Sequence, residues 1–573
     1  MTISNLLDQI ISSAMQKAGA PENAPAVIKP SGRPEFGDYQ ANGIMGAAKQ
    51  LKMNPRELAT KVVDALEIDE MAEKIEIAGP GFINIHLKNA WLAKQIISNL
   101  RKDNCGVEKT AEPETIVVDY SGPNLAKEMH VGHLRSTIIG DATARILDFQ
   151  GHKVIRQNHV GDWGTQFGML IAHMVSQNND DLTLKLSDLE TFYREAKIRF
   201  DEDADFAETA RNYVVKLQTG DAECLALWQQ FINTSLQHCE EVYETLNVLL
   251  TRDDVKPESS YNDDLPNVIS DLDKAGLLTE DAGAQCVFLD EFKGKDDKLL
   301  PAIVQKSDGG YLYATTDLAA LRYRAKELDA SRIIYFVDAR QNLHLNQVFT
   351  ISKKAGFVPE STALEHMPFG TMMDKSGKPF KTRAGGTTKL VELLHEAQQR
   401  AYELVSEKNP ELDNDERQNI GKVIGISAVK YADLSKNRTS DYIFNWDNML
   451  SFEGNTAPYM LYAYARIQSI FRKAGDVDTN ATLNIEEPTE HQLALKLLQF
   501  ADIIDTVAAD GTPNSLCNYL YELAGNFMSF YEACPILKGD DATKNSRLQL
   551  AQMTANTLQQ GLNLLGIDTL ERM

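Results

Sequence analysis

The residues best equipped for chemistry lie in one stretch, DYSGPNLAKEMHVGHLRST, residues 119–137. His130 and His133 stand three apart, a spacing that puts both imidazoles on one helical face. The apolar run TIVVDY before them reads as a buried strand and SGPN as a turn, so the histidines fall at the N-terminus of the next helix. Free N–H groups and the helix dipole attract anions there. Gly132 between them has no Cβ, so a flat ring can approach the backbone. Two imidazoles, a helix N-terminus and a bare glycine suit ATP, with phosphates at the histidines and adenine over the glycine. An isolated HxxH is more often packed or solvent-facing, and a metal site here lacks both HExxH and a suitably spaced third ligand. The strand and turn that precede it favour the nucleotide.

A second segment, GTMMDKSGKPFKTRAGGTTK at 370–389, sets Lys375, Lys378, Lys381, Arg383 and Lys389 among four glycines. A flexible cationic loop can close over a triphosphate and stabilise charge on departing pyrophosphate. Standing alone, it would read as a solvated basic loop. The chain as a whole has 58 basic and 82 acidic residues, a net charge of −24, so this cluster stands against the general balance. That balance argues against non-specific coating of nucleic acid while leaving room for local basic surfaces.

These segments need elements to hold them. Strand candidates TIVVDY, HKVIRQ and RIIYFV (332–337), with helices between, predict a doubly wound parallel sheet whose ligands bind beyond the C-terminal strand ends. Three domains are expected: a small α+β unit at 1–110, a Rossmann-like α/β catalytic domain at 113–393 with a helical, acidic insertion at about 170–300, and an all-α bundle at 394–573. Helices are expected at 389–408, 414–434, 456–474, 489–508, 513–532 and 543–564. In 573 residues there is no apolar run long enough for a membrane span, and the N-terminus lacks the pattern of a signal peptide. The six scattered cysteines form no CxxC pair, which fits reduced thiols in a cytoplasmic protein.

HVGH resembles the HIGH signature of class I aminoacyl-tRNA synthetases, and the basic loop resembles a degraded form of their KMSKS loop. SGPNLAKEMHVGHLRSTIIGD, HVGDWGTQFGML at 159–170, GKPFKTRAGGT, AGPGFINIHL at 78–87, EGNTAPYMLYAYARI at 453–467 and the terminal ERM are similar to the arginyl-tRNA synthetase family along the whole chain, in its bacterial type. One departure is that Met372 stands where KMSKS has its first lysine, leaving Lys375. In the family a lysine just before HIGH is held to compensate, and Lys127 occupies that place.

The resemblance implies L-arginine, ATP and tRNA(Arg) as partners, Mg²⁺ accompanying ATP, no dedicated metal site, and a monomer. It implies catalytic roles for Lys127, His130, His133, Lys375 and Lys378, with ATP at His130, Gly132, His133 and Lys375. Arginine-binding positions carry over to Asp119, Asn124, Tyr313, Asp317 and Gln341. Their chemistry fits, because a guanidinium is a planar donor fork that needs carboxylate and amide acceptors. Asp317 read by itself is more commonly a helix N-cap, before LAALRYR, and the family match tips it toward ligand. For tRNA, Tyr459 and Tyr462 could stack on anticodon bases, although tyrosines at helical spacing are as often core. Gln40, Phe82, Asn84 and Met573 complete the expected tRNA contacts. An HxGH nucleotidyltransferase and a catalytically inactive tRNA-binding paralogue are the two alternatives.

Overall fold

In the computed structural model, residues 2–177, 189–378, 380, 388–475, 478 and 481–573 are described. The N-terminal unit is an antiparallel sheet in the order Ile28–Pro30, Tyr39–Ala41, Phe82–Leu87, Ala72–Ala78. Alternation along FINIHL sends Ile83, Ile85 and Leu87 into the core against Leu7, Ile11, Leu58 and Val62 of the covering helices.

Four parallel strands form the central sheet, in the order Ala363–His366, Arg332–Tyr335, Thr115–Asp119, Lys153–Gln157. Their register aligns His366, Tyr335, Asp119 and Gln157 at the C-terminal edge. The edge strand Ala363–His366 escapes a search for apolar runs because its four residues, ALEH, are half polar and none of them is fully buried. The helix Leu134–Phe149 leaves the first strand through the turn at Ser121 and Gly122, both with positive φ. Hydrogen bonds hold Ser121 in that unfavourable conformation: its N–H donates to Ser136 Oγ at 2.9 Å, and its hydroxyl lies 2.7 Å from that of Tyr243.

Between the second and third strands the chain forms helices Leu189–Glu202, Ala204–Gln218, Ala222–Thr245 and Leu265–Lys274. It also forms an antiparallel sheet, Leu278–Asp281, Ala284–Val287, Ala302–Gln305, where the sequence reading has an acidic helical insertion. The cue is the two-residue turn Ala282–Gly283, both at positive φ, as a tight hairpin requires.

Helices Leu390–Lys408, Asn414–Leu434, Ala457–Ala474, Pro513–Ala533 and Asp541–Leu564 build the C-terminal bundle. The helix expected over 489–508 is two, Pro488–Leu498 and Phe500–Asp510, bending at Gln499. The first packs on the N-terminal helix Asn89–Leu100 and the second on Leu134–Phe149, directions one straight helix cannot serve. Among the described residues no helix is long and apolar enough to cross a membrane.

Candidate active site

A cleft of about 950 Å³ opens beyond the C-terminal ends of the central strands. His130, Gly132 and His133 line one part of its wall, and Glu258, Tyr313, Asp317, Gln341 and His344 line another. Gly370, Met372 and Phe380 of the basic loop close a third.

The imidazoles sit at a short turn, Val131–His133, before the helix Leu134–Phe149. His133 Nδ1 accepts from the His130 backbone N–H at 3.1 Å, and His130 Nδ1 accepts from the Gly132 N–H at 3.0 Å. With Nδ1 an acceptor in the neutral His130 ring, its Nε2 carries the proton and is left as a donor, while His133 Nδ1 also lies 3.2 Å from the His130 carbonyl oxygen. Burial, with His130 beside it, pushes His133 down to about 3, and burial with the Lys127 charge lowers His130. Both rings are therefore uncharged at neutral pH. Gly132 has a reason that its sequence context hides: a Cβ there would stand 2.7 Å from His130 Cε1. The glycine makes room for the folded-back imidazole.

The basic loop joins this corner at both ends. His130 and Lys389 form an antiparallel bridge, and the Val131 N–H donates to the Thr388 carbonyl at 3.1 Å. At the other end Met372–Met373 pairs in parallel with Tyr442–Ile443. Asp374 Oδ1 accepts from the backbone N–H groups of Ser376 and Lys378, closing a turn that leaves Lys375 and Lys378 exposed at the rim, outside the cleft wall. Lys381 and Arg383 lie outside the described residues. Lys127 does not line the cleft either: its Nζ lies 4.3 Å from the centroid of the Tyr193 ring.

The acidic wall is built around Asp317. The helix begins at Tyr313 behind Leu312, so Asp317 lies past its first turn and is no N-cap. His344 Nε2 donates to Asp317 Oδ2 at 2.6 Å, and that bond raises the His344 pKa. His159 Nε2 stands 3.9 Å from Asp317 Oδ1. Glu258, which sequence reasoning missed, faces this carboxylate. Burial first, then the charges of Asp317 and Asp162, push its carboxyl up to about 8. Its neighbour Ser259 is tied to Asp162, whose Oδ1 accepts from the Ser259 N–H at 2.9 Å. The signal was Asp162 in HVGDW, a buried acid in an apolar segment that needs a partner. Half-closed acids with Tyr313, 64% exposed, and Gln341 above them form a receptacle for a cationic, planar group.

The remaining expected residues are distributed differently. Asp119 reaches the cleft, but Arg324 donates to its Oδ2 at 2.6 Å and to Gln157 Oε1 at 2.7 Å, so one of its oxygens is already committed. Asn124 is outside the cleft wall; its Oδ1 accepts from the Ala126 N–H and holds its own turn. In the N-terminal sheet Gln40 donates to Asn84 Oδ1 at 2.8 Å, and Asn84 is 2% exposed. Asn84 thus orients Gln40, and half-buried Gln40 and Phe82 are what that face presents. In the bundle Tyr459 packs edge-on against Tyr521 with 5.7 Å between ring centroids, whereas Tyr462 is 42% exposed. Met573 packs against the core with part of its surface open.

Comparison with known proteins agrees along the whole chain. The family model described as tRNA synthetases class I (R), catalytic domain, matches residues 95–446; the DALR anticodon binding domain matches 460–573, and the Arginyl tRNA synthetase N terminal domain matches 5–87. The arginine–tRNA ligases of Hahella chejuensis and Vibrio parahaemolyticus are 61% and 57% identical to it, with 100% of each chain covered. The arginyl-tRNA synthetase of Plasmodium falciparum superposes with a TM-score of 0.87 at 30% identity, over 100% of this chain and 99% of that one. That of Thermus thermophilus shares the fold, with a TM-score of 0.84 at 24% identity and 100% of both chains covered.

Proposed function

The chain belongs to the arginyl-tRNA synthetase family and is an arginine–tRNA ligase of class I, and from that premise we propose how its residues divide the reaction. The reaction joins L-arginine to tRNA at the expense of ATP. Asp317 and Glu258 receive the guanidinium, with Tyr313 against its face and Gln341 at the α-amino end. Arginine's carboxylate then points toward the two imidazoles. His130 and His133 donate from Nε2 to the phosphates of ATP while the carboxylate attacks the α-phosphate and pyrophosphate leaves. Lys375 and Lys378 on the loop, with Lys127 once it leaves Tyr193, bring ammonium charge to the departing pyrophosphate. The 2′-hydroxyl of the terminal adenosine of tRNA then attacks the acyl carbon of the arginyl-adenylate, losing its proton as the acyl–phosphate bond breaks and AMP leaves. No side chain forms a covalent bond; orientation and charge stabilisation carry the rate.

The observation supporting this most is that donors and acids face one cleft and that the basic loop begins and ends at it. Tyr462, Phe82, Gln40 and Met573 are the surfaces proposed to meet tRNA. Mg²⁺ accompanies the triphosphate, with phosphate oxygens as its natural ligands. The protein acts as a monomer in the cytoplasm, in three domains bounded near residues 110 and 393.

ATP–pyrophosphate exchange with each of the twenty amino acids, with and without total tRNA, tests the reading. Exchange with arginine alone, and only when tRNA is present, supports it. Brisk exchange without tRNA refutes the proposed tRNA requirement, and exchange with another amino acid refutes the assignment of the pocket.

A further inference from the structure

Two residues after His133, Arg135 lies in the cleft wall, and its guanidinium reaches the C-terminal bundle. Its Nε donates to Asp433 Oδ1 at 3.2 Å and its Nη1 to the Ser440 carbonyl at 2.9 Å. Arg135 is 2% exposed and Asp433 0%. Asp433 Oδ2 stands equally 3.2 Å from the Arg135 Nε, and the Tyr442 hydroxyl hydrogen-bonds the same carboxylate, whereas Arg135 Nη2 is, among the described residues, buried without a hydrogen-bond partner. Such a pair is a poor source of stability, because both charges lose water and part of the guanidinium is left unpaired. An apolar pair of similar size holds two helices together at least as well. What an apolar pair lacks is direction, since only the rigid guanidinium fork aims a donor at one particular carbonyl.

Ser440 is where that direction matters. Gly370 lies so close to it that a Cβ on the glycine would stand 2.5 Å from the Ser440 carbonyl. The next residue, Asp441, accepts from the Thr371 N–H at 2.6 Å. The backbone ladder follows, with the Tyr442 N–H donating to the Thr371 carbonyl at 3.2 Å and the Phe444 N–H to the Met373 carbonyl at 2.9 Å. Beyond Met373 the chain enters the turn that carries Lys375 and Lys378.

We propose that the buried Arg135–Asp433 pair is a positioning device: by fixing the Ser440 carbonyl it sets the docking of Gly370–Met373 on Tyr442–Ile443, and so the stance of the loop's ammonium groups relative to His130 and His133. Both sides of the reaction centre are thereby hung on one side chain. Arg135 reaches the loop cations through Ser440 and the ladder, and the histidines through its own helix. The proposal rests on the reading of the cleft given above, and its test includes an arm that needs no catalysis.

The test uses the full-length chain as Asp433→Asn and as the apolar double variant Arg135→Met with Asp433→Leu. The double variant keeps its melting temperature within a few degrees of the parent, since the ion pair contributes little net stability. Hydrogen exchange at the Tyr442 and Phe444 amides rises about ten-fold or more, because the ladder frays. In pyrophosphate exchange with tRNA present, kcat falls about ten-fold or more while the KM for arginine stays within roughly two-fold. Asp433→Asn, which preserves shape, moves in the same direction and keeps the question open to refutation if the double variant folds poorly. Parental exchange rates at Tyr442 and Phe444 in both variants would overturn the proposal, whatever the activity. So would an Arg135→Met single variant that is inactive while Asp433→Asn has parental kcat, since Arg135 would then act directly on substrate. If the parent itself showed no exchange with arginine, the functional reading would fail, and the amide arm would still decide the positioning role.

Discussion

The backbone of His130 pairs with that of Lys389, so the residue that opens the imidazole turn also receives the last residue of the basic loop. The loop is thus a closed excursion, stitched to the imidazole turn at one end and to Tyr442–Ile443 at the other.

Gly132 tests the imidazole geometry most sharply. Gly132→Ala keeps the backbone conformation but drives a methyl into the His130 ring, 2.7 Å from Cε1. Adenylate formation should slow about 10²-fold with little change in melting temperature, the effect of losing one well-placed donor. His133→Ala should likewise lower kcat more than it weakens arginine binding. A Gly132→Ala enzyme with parental kcat would show that the His130 ring orientation is immaterial.

Asp317 is expected to act on arginine and not on ATP. Asp317→Ala removes a half-buried partner of the guanidinium, a loss of about 3 kcal/mol or roughly 10²-fold in arginine KM. The KM for ATP should stay within about three-fold. Equal loss for both substrates points instead to a structural duty toward His344, which also bonds this carboxylate.

Glu258 makes arginine binding pH-dependent. Its carboxyl, pushed up to about 8, is largely protonated in the free protein at pH 7. A bound guanidinium favours the ionised form, so binding expels a proton and arginine affinity rises with pH until about 8, then levels. Titration calorimetry in buffers of different ionisation enthalpy should show proton release at pH 7, and Glu258→Gln should abolish it. Proton uptake on binding would contradict the assignment.

His133 contributes to acid sensitivity through the opposite shift. Its folded pKa, pushed down to about 3, lies below its ordinary value of 6.5. The unfolded chain therefore binds the extra proton first, and stability falls as pH drops from 6.5 toward 3. In that window the melting temperature of His133→Asn should fall less steeply than the parent's, and parallel slopes would refute the idea.

The two bundle tyrosines should separate. Tyr462→Ala, at an exposed position, should raise the KM for tRNA by about ten-fold, within the range of one lost stacking contact, and leave the melting temperature alone. Tyr459→Ala breaks the edge-on contact with Tyr521 and should lower the melting temperature first.

What was legible in the chain follows from locality. HVGH after TIVVDY could be placed at a helix start because strand, turn and helix are contiguous and each has its own pattern. The bundle helices were legible from apolar periodicity, except at Gln499, where packing against two different partners bends the axis. Asn84 reads as a polar contact residue on a half-open strand, yet cross-strand Gln40 covers it, and nothing local to FINIHL reveals that. Glu258 was hidden for the same reason: its partners Asp317 and Asp162 come from distant segments, and a carboxylate among sixteen acids in residues 240–300 has no distinguishing neighbour. Asp119 shows the converse, since its match to a ligand position says nothing of Arg324, which arrives from another helix to take one of its oxygens.

The most direct test of the account is the structure of this protein with a non-hydrolysable arginyl-adenylate analogue. The phosphate-equivalent oxygens should lie about 2.7–3.2 Å from Nε2 of His130 or His133, with the guanidinium against Asp317 and Glu258. An adenylate seated in the cleft with its guanidinium turned away from both acids, or with its phosphate out of reach of both imidazoles, would contradict it.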